Sequence, residues 1–184
     1  MRDPNRPVPR GVYILPNLFT TASLFTGFMS IIFAVSGRYD SAAWAILFSA
    51  LMDGLDGKVA RLTGTASQFG IEYDSLADCV AFGTAPAMLM WAWQLNSFGR
   101  MGVAVAFLSV ACGALRLARF NVGVATTSKR FFIGLPIPAC GCALATFVLF
   151  RPYLPDWLAG QLPYICLGLA FFLPLLMVSR VRYF

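Results

Sequence analysis

The sequence contains no histidine, and charge of either sign is scarce: Asp, Glu, Lys and Arg make up 12% of its 184 residues. Without histidine, the usual general base and the usual imidazole metal ligand are both excluded. The five cysteines, at 79, 112, 140, 142 and 166, show neither CxxC nor Cys/His spacing, and all sit in apolar runs. They read as small buried apolar residues rather than as a disulfide framework or a thiolate metal site. Nor is there a block of Lys and Arg of the kind that grips nucleic acid, so the net charge of +6 reads as membrane topology rather than polyanion binding.

What is abundant is apolar surface. Hydrophobic residues make up 59% of the chain and are spread evenly along it, too many to hide inside one 20.0 kDa globule. An all-α polytopic membrane protein is expected, with residues 1–184 forming one membrane-embedded domain and 1–12 a cytoplasmic N-terminal segment. At about 20 apolar residues per crossing, six transmembrane helices fall near 14–36, 42–62, 68–94, 101–122, 134–150 and 160–179. Polar or turn-forming stretches separate them at 36–41, 62–67, 96–100, 123–130 and 151–157. The first apolar run is long for a signal sequence and carries Asn17, so it is expected to be retained. Sorting the basic residues onto alternate helix ends puts eleven on one side (Arg2, Arg6, Arg10, Lys58, Arg61, Arg116, Arg119, Lys129, Arg130, Arg180, Arg182) and three on the other (Arg38, Arg100, Arg151). By the positive-inside rule the termini and the loops after the second and fourth helices face the cytoplasm. This is the orientation of a multi-pass protein of the cell (inner) membrane. Trp91, Trp93, Tyr153 and Trp157 then fall near the outer interface, where belt anchoring accounts for them.

Of the eight acidic residues, five (Asp53, Asp56, Glu72, Asp74, Asp78) lie between positions 53 and 78. Asp53 and Asp56 are three apart and Asp74 and Asp78 four apart, so each pair shares a helix face. The first pair closes the second helix and the second pair opens the third, which should bring four carboxylates to one depth. Unpaired, four intramembrane aspartates cost on the order of 10 kcal/mol. Lys58 and Arg61 supply only two charges nearby, and an oxygen-only ligand set selects hard divalent cations such as Mg²⁺, Mn²⁺ or Ca²⁺. Four carboxylates balance two such ions, the usual apparatus for displacement at phosphorus. Gly54, Gly57 and Gly70 each weaken a helix by roughly 1 kcal/mol relative to Ala. Close approach of a substrate and small-residue helix packing both explain that cost.

The run Asp53-Gly54-Leu55-Asp56-Gly57-Lys58-Val59-Ala60-Arg61, followed at fixed spacing by Gly70, Asp74 and Asp78, resembles the CDP-alcohol phosphatidyltransferase signature at all eight of its positions. The helix-one entry Pro16-Asn17-Leu18-Phe19-Thr20 extends the likeness. The resemblance implies a six-helix membrane enzyme, usually a homodimer, that transfers a substituted phosphate from a CDP-linked lipid to an alcohol and releases CMP. It implies that Asp53, Asp56, Asp74 and Asp78 hold divalent metal, Mg²⁺ or Mn²⁺ with two ions per site, and that Asp78 also accepts the proton of the attacking alcohol. Gly57, Ala60, Arg61 and Gly70 would line the nucleotide and diphosphate site. Asn17 and Thr20 would reach the CDP-lipid, or instead cap a helix or bond between helices.

Further motifs, Asp74-Ser75-Leu76-Ala77-Asp78 with Ala81-Phe82-Gly83-Thr84-Ala85-Pro86, Ala114 through Val122, and Gly134-Leu135-Pro136-Ile137-Pro138, look like the bacterial and archaeal membrane-type phosphatidylserine synthases of that family. That branch implies CDP-diacylglycerol as donor and L-serine as acceptor. Serine's carboxylate needs a cation, and Arg116 and Arg119, one turn apart, offer a clamp, with Asn121, Lys129 and Arg130 close in sequence. The same residues also fit a role as interfacial anchors touching lipid headgroups. Glu72, on a different face from Asp74, would meet serine's ammonium or an interfacial partner. Two alternatives remain: an anionic acceptor such as glycerol 3-phosphate or an inositol phosphate, which calls for a denser basic pocket, and a divalent-cation transporter, which leaves the glycines and Arg61 unexplained.

Overall fold

The computed structural model describes residues 14–63, 67–126 and 135–179, and every regular element among them is helical. Six long helices are described: α1 (Ile14–Val35), α2 (Tyr39–Thr63), α3 (Gln68–Trp93), α4 (Arg100–Thr126), α5 (Ile137–Phe150) and α6 (Leu162–Val178). Three stretches, Asn17–Val35, Gln68–Trp93 and Arg100–Val122, are long and apolar enough to cross a membrane. α2 is as long as these, but Asp53, Asp56, Lys58 and Arg61 make its second half polar. α5 and α6 are shorter apolar helices. The surface carries large exposed side chains such as Phe25, Phe28, Trp44, Phe48, Phe107 and Phe172, the pattern of a protein whose solvent is lipid.

The helix ends follow from local sequence. α1 stops at Gly37, whose φ of +75° is left-handed. There the Arg38 N–H bonds back to Phe33 O at 2.8 Å and the Gly37 N–H to Ala34 O at 3.1 Å, the six-to-one pattern that glycine permits. α3 opens on Ser67, whose hydroxyl accepts from the Gly70 N–H at 3.0 Å. α4 runs one turn further than its apolar pattern suggests, to Thr126 rather than 122. Gly123 is tolerated inside it, so the expected loop at 123–130 begins later.

α1 and α2 form an antiparallel pair tied by serine. The Ser23 and Ser49 hydroxyls lie 2.7 Å apart, and Ser30 Oγ donates to Ala42 O at 2.8 Å. α3 is the central helix and touches each of the other five. It is not α-helical throughout: Cys79–Thr84 is a π-helical turn, with the Ala85 N–H bonded to Val80 O and the Thr84 hydroxyl donating to Cys79 O at 3.2 Å. Pro86 explains it, because proline has no N–H to offer Phe82 and its ring pushes that carbonyl aside. Around this wide turn the core is built from small residues, Ala42 and Ala43 of α2, Ala81 and Ala85 of α3, and Cys140 and Ala145 of α5, with Phe82 and Leu144 filling between them. At the end away from the acidic residues of 53–78, Arg151 pairs with Asp40 at 2.8 Å.

Candidate active site

At the opposite end the helices part. The first turns of α3 lean on α1, while the backbones of α2 and α4 stand off from them. Side chains bridge the opening. One carboxylate oxygen from each of Asp53, Asp74 and Asp78 lies within 4.8 Å of the others. Three like charges at that spacing repel by about 3 kcal/mol per pair or more at an effective dielectric of about 20, and Asp78 Oδ1 is buried with no hydrogen-bond partner. Burial without a partner is costly for a carboxylate. A convergent all-oxygen set with an unsatisfied buried oxygen fits a hard divalent cation, so the residues present suit the metal that the sequence implies.

Asp56 is placed differently. It lies one turn along α2, near enough for its charge to act on Asp53 and Asp74. It is 7% exposed, and its carboxylate accepts the hydroxyl of Thr20 from α1. The structure therefore brings three of the four expected aspartates into one cluster and ties the fourth to α1. Gly70 lies where α3 meets α1: a Cβ there would be 3.2 Å from Ser67 Oγ and 3.6 Å from Asn17 Oδ1. Among the described residues, a Cβ on Gly54 would meet nothing within 4 Å. Gly57 is half-buried in α2. Ala60 and Arg61 are in α2 by backbone, with side chains outside the described residues, as are Lys129 and Arg130 altogether.

The two arginines expected to act as a clamp diverge. Arg116 is half-buried, close enough to Asp78 for the charges to interact, and its Nε is buried without a partner. Arg119 is exposed. Asn121 donates from Nδ2 to Glu72 Oε2 at 3.0 Å and to Ser75 Oγ at 3.2 Å, and Gln68 Nε2 donates to Glu72 Oε1 at 3.3 Å. Glu72 thus has protein partners at the edge of the site. Sequence reasoning gave no role to Ser75, nor to Tyr73, whose hydroxyl lies 3.0 Å from Thr21 Oγ1. For Ser75 the only signal was its place between Asp74 and Asp78.

Three relatives are similar over most of the chain. A Helicobacter pylori protein named CDP-diacylglycerol–serine O-phosphatidyltransferase is 47% identical over 173 residues, covering 94% of this chain and 72% of the relative. A Methanocaldococcus jannaschii protein of the same name is 36% identical over 176 residues, covering 95% and 75%. An archaetidylserine synthase from Methanothermobacter thermautotrophicus is 39% identical over 137 residues, covering 73% and 58%. Residues 13–176 match the CDP-alcohol phosphatidyltransferase family, and the chain belongs to that family.

Proposed function

We propose that this chain transfers the phosphatidyl group of CDP-diacylglycerol to the hydroxyl of L-serine, giving phosphatidylserine and CMP. The observation that carries the reading is the similarity, over 94% and 95% of this chain, to the Helicobacter and Methanocaldococcus proteins, whose name specifies both substrates. The site chemistry agrees with it. Asp53, Asp74 and Asp78, with Asp56 beside them, would hold Mg²⁺ or Mn²⁺, two ions per site. Cations held there supply charge neutralisation for the diphosphate and polarise its phosphoryl oxygens.

The rest falls to the chain's own groups. Asp78 takes the proton of the serine hydroxyl at a carboxylate oxygen, the natural base in a site without histidine. The serine oxygen forms its bond to the lipid-bearing phosphorus as the bond to the bridging oxygen breaks, and CMP leaves with that oxygen. Arg116 pairs with the serine carboxylate, and Arg119 and Lys129 add positive charge for it. Gly57, Ala60, Arg61 and Gly70, with Asn17 and Thr20 from α1, hold the nucleotide and diphosphate. The enzyme works as a six-crossing protein of the inner membrane, a homodimer with its site and both termini toward the cytoplasm.

The test is purified protein with CDP-diacylglycerol, Mn²⁺ or Mg²⁺, and a panel of serine, glycerol 3-phosphate, inositol phosphate or no acceptor, following CMP. Release should require both serine and the divalent ion and stop on chelation. Absence of serine-dependent release with either metal overturns the assignment, and release with glycerol 3-phosphate instead moves it to that acceptor.

A further inference from the structure

α3 and α4 run antiparallel and pack closely at the π-helical turn, where a Cβ on Gly113 would lie 3.8 Å from Gly83 Cα. Toward the acidic end their backbones separate, and a side-chain bridge crosses the gap. Asn121 of α4 donates to Glu72 and Ser75 of α3 at 3.0 and 3.2 Å, and the Ser75 hydroxyl also lies 3.4 Å from Asn121 Oδ1. An asparagine amide has two N–H donors and one carbonyl acceptor. Here both donors are engaged within the protein, while the single Ser75 hydroxyl hydrogen goes either to Asn121 Oδ1 or, at 3.0 Å, to Ile71 O of its own helix. Glu72 is held in turn by Gln68, so the bridge is braced on the α3 side.

Its position relative to the reacting groups is the telling point. Arg116 precedes Asn121 by five residues, about 7.5 Å along the helix, and Asp78 follows Ser75 by three. Asn121 therefore spans the mouth of a wedge in which Arg116 and Asp78 face each other. Arg116 Nε is buried without a hydrogen bond and the guanidinium interacts with the Asp78 charge across the two helices, so its place depends on how near α4 stands to α3.

We propose that Asn121 is a positioning residue for the acceptor: by bridging Glu72 and Ser75 it holds α4 at the distance from α3 that keeps Arg116 facing Asp78. The inference rests on the reading above in one respect, that Arg116 meets the carboxylate of serine. It replaces a direct serine contact for Asn121 with an indirect one.

The test uses four full-length proteins: wild type, Asn121→Asp, Glu72→Gln and the double variant. Asn121→Asp sets a carboxylate against Glu72, whereas the double variant restores an amide–carboxylate pair with its polarity reversed. In Asn121→Asp the KM for serine should rise about tenfold while that for CDP-diacylglycerol stays within about twofold, and the double variant should recover most of the loss, the signature of pairwise coupling. A double variant as impaired as Asn121→Asp overturns the proposal in favour of direct contact with serine. A parallel rise in both KM values with a fall in thermal midpoint overturns it in favour of a merely structural bond. Serine-dependent CMP release by the wild type is the separate check on the function itself: if it is absent, the proposed function fails, and the acceptor-positioning role with it. If it is present and the double variant shows no recovery, only the positioning role fails.

Discussion

Asp78 combines two features that Asp53 and Asp74 do not combine. It belongs to the three-carboxylate cluster, and its Oδ1 is buried without a hydrogen bond. Arg116 stands beside it. An acceptor lying between Arg116 and Asp78 would have its hydroxyl presented to a carboxylate, and a positioned general base contributes about 10²- to 10⁴-fold. Asp78→Asn should therefore lower CMP release by at least about a hundredfold while leaving CDP-diacylglycerol binding largely intact, as read by turnover and by equilibrium binding of the labelled lipid. Near-normal turnover would remove Asp78 from the role of base. The spacing of Asp74 and Asp78 was legible because four residues along one helix put two side chains on one face. The capture of Asp56 by Thr20 was not, because those residues are 36 apart in sequence and meet only when α1 and α2 pair.

At the scale of elements, helix length and helix approach are decided by different residues. The breaks were legible from turn formers, and the described helix ends mostly fall within a few residues of expectation. The π-helical turn at Cys79–Thr84 was not expected, although its cause, Pro86, stood in the sequence. Its wider backbone must be accommodated by the neighbours. A Cβ on Gly27 of α1 would lie 2.6 Å from Ala81 Cα, and one on Gly141 of α5 would lie 3.2 Å from Phe82 Cα. Gly27→Ala should thus cost about 1–3 kcal/mol through overpacking, seen as a lower thermal midpoint in detergent. Gly54→Ala, with open space around its Cβ, should be neutral or stabilising by up to about 1 kcal/mol. Equal effects of the two substitutions would show that the close approach of α1 to the π-helical turn is not what Gly27 provides.

For the whole molecule, the reading of six crossings puts Arg38 and Lys58, at the two ends of α2, on opposite sides of the membrane; both are exposed. In a background without the native cysteines, a membrane-impermeant maleimide should label Arg38→Cys in intact cells and Lys58→Cys only after permeabilisation. Labelling of both from one side would overturn the topology. Composition and periodicity alone determined that the chain is a helical bundle for a lipid environment, where its helices break, and which aspartates share a face. These are consequences of covalent geometry and of local preference within one helix. Tertiary structure decided which groups meet: three aspartates in one cluster with the fourth on Thr20, Arg116 turned inward and Arg119 outward, and Asn121 bonded to Glu72 and Ser75. Those pairings depend on how α3 leans on α1 and away from α2 and α4, and that tilt is set by contacts between residues far apart in the chain.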